Sequence, residues 1–443
     1  MADEDDRAAA TGADERLLEQ LLAEANAIVP HRLPALVDRC AQALGLDSAT
    51  IYLADLQQHL LIPLDEQTDR LPVDSSEASW AYRTMSPRVH DSQGGGTAWL
   101  PMVDGAERIG VLGVRAGVLD GVRLRRCRIL ATVVTSKRTY SDWLVARTRT
   151  QPTTLPTEML RAFLPPRSVG RPGVISTAVL EPAYALGGDA FDHSMTRNIL
   201  HADIFDATGH DLSSGLTTAM VMAGCRNARR SRADLPNTIE AVDQALAEWL
   251  PEQSCTGVLC RLDVDTGTLQ WCNCGHPPPL LIRNERVLEH ALESPPQPPM
   301  GLPFRLGPTH REVHETTLEP GDRVLLYTDG VTEARSEDGE VFGRDRFTDF
   351  IIRSSTAGQH PSEVLRLLIH AILEHQGNDL SDDATILLVE WHPDTRRSQA
   401  ASHNTPAVHP ERFGTRAPSP WRDHFAAETG VIRKEVDEHD EER

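Results

Sequence analysis

The sequence lacks any apolar stretch long enough to cross a membrane. About 20 consecutive apolar residues are needed to span a bilayer, and no run in the 443 residues approaches that length. The chain starts with MADEDDRAAA, which is acidic rather than basic and then apolar, so we expect no secretory signal. These two absences predict a cytoplasmic protein with no membrane contact.

Cysteine and positive charge are also scarce. The seven cysteines are an odd number scattered along the chain, which favours a reduced compartment over a disulfide framework. The net charge of -21 argues against nucleic acid as a partner, because phosphate backbones bind basic surfaces. We interpret two local basic clusters as solvated helix faces, with a docking patch for an acidic protein as the alternative. Their members are Arg123, Arg125, Arg126 and Arg128, and Arg226, Arg229, Arg230 and Arg232.

What the sequence offers instead is aspartate at the ends of apolar runs. In VLLYTDGVTEA, from Val324 to Ala334, a buried strand that stops at Asp-Gly would deliver the Asp329 carboxylate to its end. Asp189, Asp206 and Asp382 stand in similar settings. Each signal is weak alone, because aspartate is common in turns. If the four converge, their repulsion must be neutralised, and all-oxygen ligands suit Mg²⁺ or Mn²⁺ better than zinc.

Five segments then carry a resemblance to a known family. GGDAFD, FDATGHD, NCGHPPPLLIR, GDRVLLYTDGVTEAR and SDDATILLV occur in this order between Thr153 and Trp391. Together they resemble the bacterial PP2C-type serine phosphatases of the SpoIIE and RsbU kind. The resemblance implies an α+β fold with a PP2C-like layered sandwich over residues 153–392. It also implies a metal-dependent serine/threonine phosphoprotein phosphatase.

The same resemblance implies a role for each aspartate at a site for two Mn²⁺ or Mg²⁺ ions. The implied ligands are Asp189, Asp206, the Ala207 carbonyl, Asp329 and Asp382. Asp206 would bridge the ions, Asp329 and Asp382 would hold one of them from the far side, and Asp189 would bind directly or through water. Asp206 and Asp329 are the expected catalytic residues. Only one of Asp382 and Asp383 should reach the metal, because neighbours in an extended segment point to opposite sides, and the resemblance implies that it is Asp382. Asp383 would then support the ligands from behind.

Other functions remain as alternatives. The family usually has Gly-Asp-Val-Ser-Gly-His-Gly where this chain has the segment from Phe205 to Asp211, so a catalytically weak scaffold that acts by protein binding is the competing hypothesis. No nucleophile turn surrounds Ser213 and Ser214 near His210, which argues against a catalytic triad. A zinc site at Cys272, Cys274 and His276 lacks an evident fourth ligand.

The region before the phosphatase segments predicts a second domain. Residues 15–129 read as helix, helix, hairpin, loop and hairpin, and they resemble a GAF-type sensor domain. A helix is expected from Pro34 to Leu44, and a hairpin with strands at 98–103 and 109–114. Residues 1–14 and the acidic tail 393–443 are expected to be disordered.

A linker helix should join the two domains over residues 130–152. We expect it to be continuous from Leu124 to Arg149, because that stretch lacks glycine and proline. An apolar seam along it could pair with a second copy to form a homodimer, or it could pack on the sensor domain instead. The seam residues are Ile129, Val133, Tyr140 and Leu144.

The resemblance also suggests the partner. The expected substrate is a phosphorylated anti-sigma factor antagonist of the STAS type, which would make the enzyme a switch in bacterial transcription. The chain carries no nucleotide-binding motif of its own, so the opposing kinase should be a separate protein.

Overall fold

The computed structural model describes residues 23–24, 27–92, 95–117, 132, 134–135, 137, 141–209, 211–295, 297–302, 311–377, 380 and 382–393. The chain divides into two compact units, Met1–Pro152 and Thr153–Arg443. The two terminal segments predicted to be disordered lie outside the described residues except for Pro393, and the first arginine cluster lies outside them as well. No helix in the described ranges combines the length and apolar character that a membrane span requires.

The first unit is built on one antiparallel sheet with the strand order β3-β2-β1-β6-β5-β4. Helix α1 packs on one face and α2 on the other, so the sheet separates two small apolar cores. The helix predicted from Pro34 to Leu44 and the predicted hairpin of β5 and β6 are confirmed, whereas the likeness to a sensor domain stays a prediction. The elements are α1 (Leu33–Ala43), β1 (Ser48–Ala54), β2 (Leu60–Pro63), β3 (Leu71–Pro72), α2 (Glu77–Thr84), β4 (Arg88–Ser92), β5 (Gly95–Asp104), β6 (Glu107–Ala116) and α3 (Asp142–Thr148).

The predicted linker helix is wrong in one respect, because it is interrupted at Ser141. That residue has extended backbone angles, φ -117° and ψ 101°, and its hydroxyl accepts a hydrogen bond from the Leu144 amide at 3.2 Å. Serine is a good N-cap, so α3 begins afresh there. Leu144 is buried in the core of the first unit together with Val134. The other three residues of the predicted seam lie outside the described residues.

The second unit contains two antiparallel sheets. Their strand orders are β15-β12-β11-β10-β9 and β14-β13-β16-β17-β8-β7. The strands are β7 (Ser168–Arg171), β8 (Val174–Glu181), β9 (Asp189–Met195), β10 (Ile199–Ala207), β11 (Cys255–Asp263), β12 (Thr268–Cys274), β13 (Leu280–Arg283), β14 (Arg286–Leu288), β15 (His314–Thr317), β16 (Arg323–Tyr327) and β17 (Ala384–Trp391). The helices are α4 (Leu155–Phe163), α5 (Leu212–Arg230), α6 (Leu235–Trp249), α7 (Asp329–Thr332), α8 (Arg344–Thr356) and α9 (Pro361–His375).

Side-chain alternation along the strands produces a four-layer sandwich. Ile204 of β10 points into the core between the two sheets, whereas Phe205 points toward α5 and α6. On the other sheet, Leu387 of β17 faces the inter-sheet core and Ile386 faces α8 and α9. Each sheet is therefore buried on both faces, and the α+β layered architecture predicted for this region is confirmed.

The second arginine cluster is only partly solvated, which corrects its interpretation as an exposed helix face. Arg226 and Arg229 of α5 turn inward and form ion pairs with Asp192 and Asp203 of the adjacent sheet. Arg230 and Arg232 are exposed, as expected. Residues 226 and 229 share one side of the helix because they are three positions apart.

Candidate metal centre

Two of the predicted ligands lie opposite each other on neighbouring strands. In the antiparallel ladder of β9 and β10, Asp189 pairs with Asp206. Both continue the alternation of Phe191 and Ile204, whose side chains fill the space between the sheets. Like charges directly opposite each other in a ladder are destabilising. Two carboxylates therefore face each other at this end of the space between the sheets.

The other sheet brings its own aspartates to the same end. Strand β16 stops at Tyr327 and Asp329 begins the short helix α7, while Asp382 and Asp383 immediately precede β17. Tyr327 pairs with Ile386, so both segments emerge from one end of the sheet. Gly330 is required there, because a Cβ at this position would lie 2.0 Å from the Asp383 carbonyl oxygen. The prediction that Asp329 follows a buried strand is confirmed.

The negative charges of the acidic groups raise one another's pKa values. Burial, followed by repulsion from Asp329, Asp382 and Asp383, raises the pKa of Asp206 to about 7. Burial, and then the charges of Asp206 and Asp383, raises the pKa of Asp189 well above its usual range. Four chain segments thus place acidic groups within electrostatic reach of one another.

Polar groups that sequence reasoning missed hold two of these carboxylates in place. The Thr385 hydroxyl donates to Asp189 Oδ2 at 2.7 Å, and the Thr385 amide donates to the Thr328 hydroxyl at 3.0 Å. Asp383 Oδ2 accepts from the amides of Gly187 and Asp189 at 2.7 and 3.2 Å. Asp383 therefore fixes the loop that carries Asp189. The signal for the threonines was only their position next to the acidic motifs.

The predicted carbonyl ligand lies where a loop approaches the neighbouring strand closely. Ala207 is the last residue of β10 and is buried. A Cβ on Gly188 would lie 2.4 Å from the Ala207 oxygen and 2.8 Å from the Gly209 oxygen, so only glycine fits at position 188. His210 lies outside the described residues. Asp211 caps α5 by accepting from the amides of Ser213 and Ser214, which explains an acidic residue where the family usually has glycine.

The donor set fits a hard divalent cation. Asp329 and Asp382 are exposed, Asp206 is half-buried, and Asp189 and Asp383 are buried, so the acidic patch opens to solvent on one side. Within the described ranges, no group of three or more His, Cys, Asp or Glu side chains is arranged so that it could hold a metal ion. Mg²⁺ does not need three such side chains, because it usually binds through one or two carboxylates and keeps several waters.

The cysteines of the rejected zinc motif point away from its histidine. Cys272 and Cys274 are buried in the core beneath α5 and α6. The His276 ring instead forms hydrogen bonds with the Thr256 hydroxyl and the Tyr327 carbonyl. These three residues do not converge on one point.

Comparison with known proteins defines the class of the second unit. Residues 198–392 match the family model described as stage II sporulation protein E (SpoIIE). This stretch is therefore similar to the SpoIIE family, and the prediction of that family is confirmed for residues 198–392. Phosphatases of the PP2C family use divalent metal ions.

Individual relatives cover smaller or more divergent parts. The chain is 30% identical over 129 residues to the protein IcfG of Synechocystis sp., and the matched stretch is 29% of this chain and 19% of that protein. A crystal structure of RsbU and RsbW domains from Mycobacterium tuberculosis is similar over 50% of this chain and 61% of that one, with 25% identity and a TM-score of 0.43. The SiaA-PP2C domain of Pseudomonas aeruginosa is similar over 54% of this chain and 94% of that one, with 21% identity and a TM-score of 0.44.

Proposed function

We propose that the second unit is a metal-dependent phosphatase that removes phosphate from serine or threonine on a protein. One observation carries the proposal: aspartates from both sheets of a SpoIIE-type domain meet at one end of the sandwich. Within the described ranges, none of Asp189, Asp206, Asp329 and Asp382 forms an ion pair with lysine or arginine. Cations from solution would supply the missing positive charge.

In this proposal the chain's own residues bind and orient. Asp206 would bridge two Mn²⁺ or Mg²⁺ ions, with Asp329 and Asp382 on the exposed side and Asp189 and the Ala207 carbonyl on the buried side. Bound ions of this kind acidify water and neutralise a transferring phosphoryl group. Thr385 and Asp383 would keep the Asp189 carboxylate and its loop from turning away. Because Asp329 and Asp382 are exposed, a phosphorylated side chain on another protein can approach from that side.

The substrate and its regulation follow from the family resemblance. We propose a phosphorylated regulatory protein of the STAS type, an anti-sigma factor antagonist, as the substrate, with both proteins in the cytoplasm. The first unit would act as a GAF-like sensor that sets the activity of the second. A homodimer through the predicted linker helix, residues 130–152, remains part of this proposal.

The experiment is turnover of p-nitrophenyl phosphate and of a phosphoserine peptide by the full chain, with added Mn²⁺. We expect turnover by the natural protein, and a loss of at least about 1,000-fold in Asp206→Asn and Asp329→Asn, because bound ions contribute several kcal/mol of charge stabilisation. Asp338→Asn is the matched control, since Asp338 is an exposed aspartate on a turn outside the cluster. Equal turnover by Asp206→Asn would contradict the site assignment.

The scaffold hypothesis predicts a different outcome, namely no turnover by the natural protein together with binding of a phosphorylated STAS protein. The residues that raised it have structural roles in this fold. Phe205 is fully buried beneath α5 and α6, and Asp211 caps α5. The departures from the family pattern are thus compatible with an intact aspartate cluster.

A further inference from the structure

We infer that His276 and Thr256 form a positioning bridge that sets the spacing of Asp206 and Asp329 across the two sheets. This inference rests on the proposed metal site and deepens it. Neither residue would touch an ion or the substrate. They would act by holding the strand ends that carry the two catalytic aspartates.

The bridge begins beside Asp206. Thr256 of β11 is the direct cross-strand partner of Asp206 in the ladder of β10 and β11. Its hydroxyl oxygen lies 3.0 Å from His276 Nδ1 and 3.4 Å from the Asp206 carbonyl oxygen. Thr256 is therefore fixed to the strand end that presents the Asp206 carboxylate.

The bridge ends beside Asp329. His276 Nε2 lies 3.1 Å from the carbonyl oxygen of Tyr327, two residues before Asp329. Thr256 belongs to the five-stranded sheet and Tyr327 to the six-stranded sheet. The imidazole thus spans the gap between the sheets at the end where the carboxylates meet.

The hydrogen-bond roles follow from the groups involved. The Tyr327 carbonyl can only accept, so His276 Nε2 must carry a hydrogen. In a neutral ring Nδ1 then accepts the hydrogen of the Thr256 hydroxyl at 3.0 Å, and the Asp206 carbonyl oxygen is a second, more distant acceptor of that hydrogen at 3.4 Å. Loss of the imidazole would leave the hydrogen to the oxygens of Asp206 alone.

The turn that carries His276 is itself held rigidly. The Asn273 side chain donates to the His276 carbonyl at 2.8 Å and accepts from the His276 amide at 2.8 Å. His276 is 6% exposed. A ring held by its own backbone and by both nitrogens has one orientation, which is what a spacer between two ligands requires.

A second buried histidine provides a matched control. His193 of β9 also bridges the sheets, with Nδ1 2.9 Å from the Ser176 hydroxyl and Nε2 2.6 Å from the Pro166 carbonyl. It is 3% exposed, and neither of its two partners adjoins an aspartate of the cluster in the chain. Removing its side chain should cost stability without changing the spacing of Asp206 and Asp329.

The test is Mn²⁺ affinity of the full chain by calorimetric titration, together with urea unfolding of the same variants in a chelator. We expect Thr256→Val and His276→Leu to weaken Mn²⁺ binding about 10-fold to 100-fold, the usual effect of losing a group that orients metal ligands. Thr256→Ser and His276→Gln keep the hydrogen-bonding groups and should bind within about threefold of the natural protein. His193→Leu should unfold at lower urea but bind Mn²⁺ normally.

The possible results distinguish failure of the positioning bridge from failure of the metal site. Unchanged affinity in both Thr256→Val and His276→Leu would overturn the positioning bridge and leave the metal site standing. Equal weakening by His193→Leu would also overturn it, because general loosening would then explain the effect. Absence of Mn²⁺ binding by the natural protein would overturn both the metal site and the bridge.

Discussion

Two aspartate pairs stand in the same ladder of β9 and β10, and they differ in what neutralises them. Asp192 pairs with Asp203, and Asp189 pairs with Asp206, three positions along each strand. The first pair is matched by arginine: Arg226 lies 2.8 Å from Asp192, and Arg229 bonds both Asp192 and Asp203, the latter at 2.7 Å. Within the described ranges, the second pair has no arginine or lysine in an ion pair.

The difference arises from side-chain alternation. Residues three apart on a strand point to opposite faces, so Asp192 and Asp203 face α5 whereas Asp189 and Asp206 face the space between the sheets. Helix α5 supplies cations to the first pair from within the chain. The second pair opens toward solvent, from which divalent cations can bind. The pair matched by arginine is therefore structural, and the unmatched pair of Asp189 and Asp206 belongs to the proposed metal site.

The largest change in stability should come from removing an arginine that neutralises the matched pair of Asp192 and Asp203. Arg229→Met eliminates the guanidinium that joins both aspartates and leaves buried charge uncompensated. We expect the free energy of unfolding to fall by about 3–5 kcal/mol, measured by urea denaturation in a chelator. A loss below about 1 kcal/mol would mean that Asp192 and Asp203 do not need a cation, and the comparison would fail.

Acid should lower the free energy of unfolding through His193, which follows Asp192 in the chain. Burial lowers the pKa of His193 to about 4, whereas an unfolded histidine titrates near 6.5. The unfolded chain therefore takes up this proton first, so the contribution is complete above about pH 6.5 and is lost as the pH falls toward 4. Its size is about 3 kcal/mol at most.

The measurement is urea unfolding of the natural protein and of His193→Gln at several pH values from 7 to 4. The loss of stability on acidification should be smaller in the variant, because glutamine does not titrate. Parallel curves for the two proteins would show that His193 takes up its proton as readily in the folded state as in the unfolded state, contrary to its burial.

Asp206→Asn, in the unmatched pair of Asp189 and Asp206, should raise the free energy of unfolding, whereas Arg229→Met should lower it. Removing one charge from a like-charged pair relieves repulsion, so we expect the metal-free protein to gain about 1 kcal/mol of stability. Urea unfolding in a chelator checks this. A loss of stability in Asp206→Asn would indicate that the Asp206 carboxylate is already satisfied by groups in the protein.

The smallest effect should come from an ion pair in water. Arg353 lies 2.8 Å from Asp349 on α8, and both side chains are largely exposed. Arg353→Ala should change the free energy of unfolding by less than about 0.5 kcal/mol in the same assay. A larger change would mean that removing even an exposed charge lowers the free energy of unfolding in this assay. The loss measured for Arg229→Met could then not be assigned to the burial of its ion pairs.

The positions of the aspartates at strand ends were predictable from the sequence because their signals are local. Asp329 follows a short apolar strand, and Asp382 precedes another, so each position can be read from a few neighbouring residues. The family motifs supplied the roles. The strands and helices around these motifs were predictable from their apolar patterns for the same reason.

The neutralising partners were not predictable, because they depend on how distant elements pack. Arg226 and Arg229 look like part of a solvated basic cluster until α5 is placed over Asp192 and Asp203. Thr385 is identified only once β17 is placed beside Asp189. The break at Ser141 was missed for another reason, since capping competed with an otherwise helical pattern.

The central claim is that the unmatched aspartates bind divalent cations, and the most direct measurement is calorimetric titration of Mn²⁺ into the metal-free full chain and into Asp206→Asn. The account predicts saturable binding by the natural protein and a loss of at least about 100-fold in affinity in the variant, because the variant lacks the proposed bridging ligand. Binding of equal strength by both proteins, or no binding by the natural protein, would contradict it.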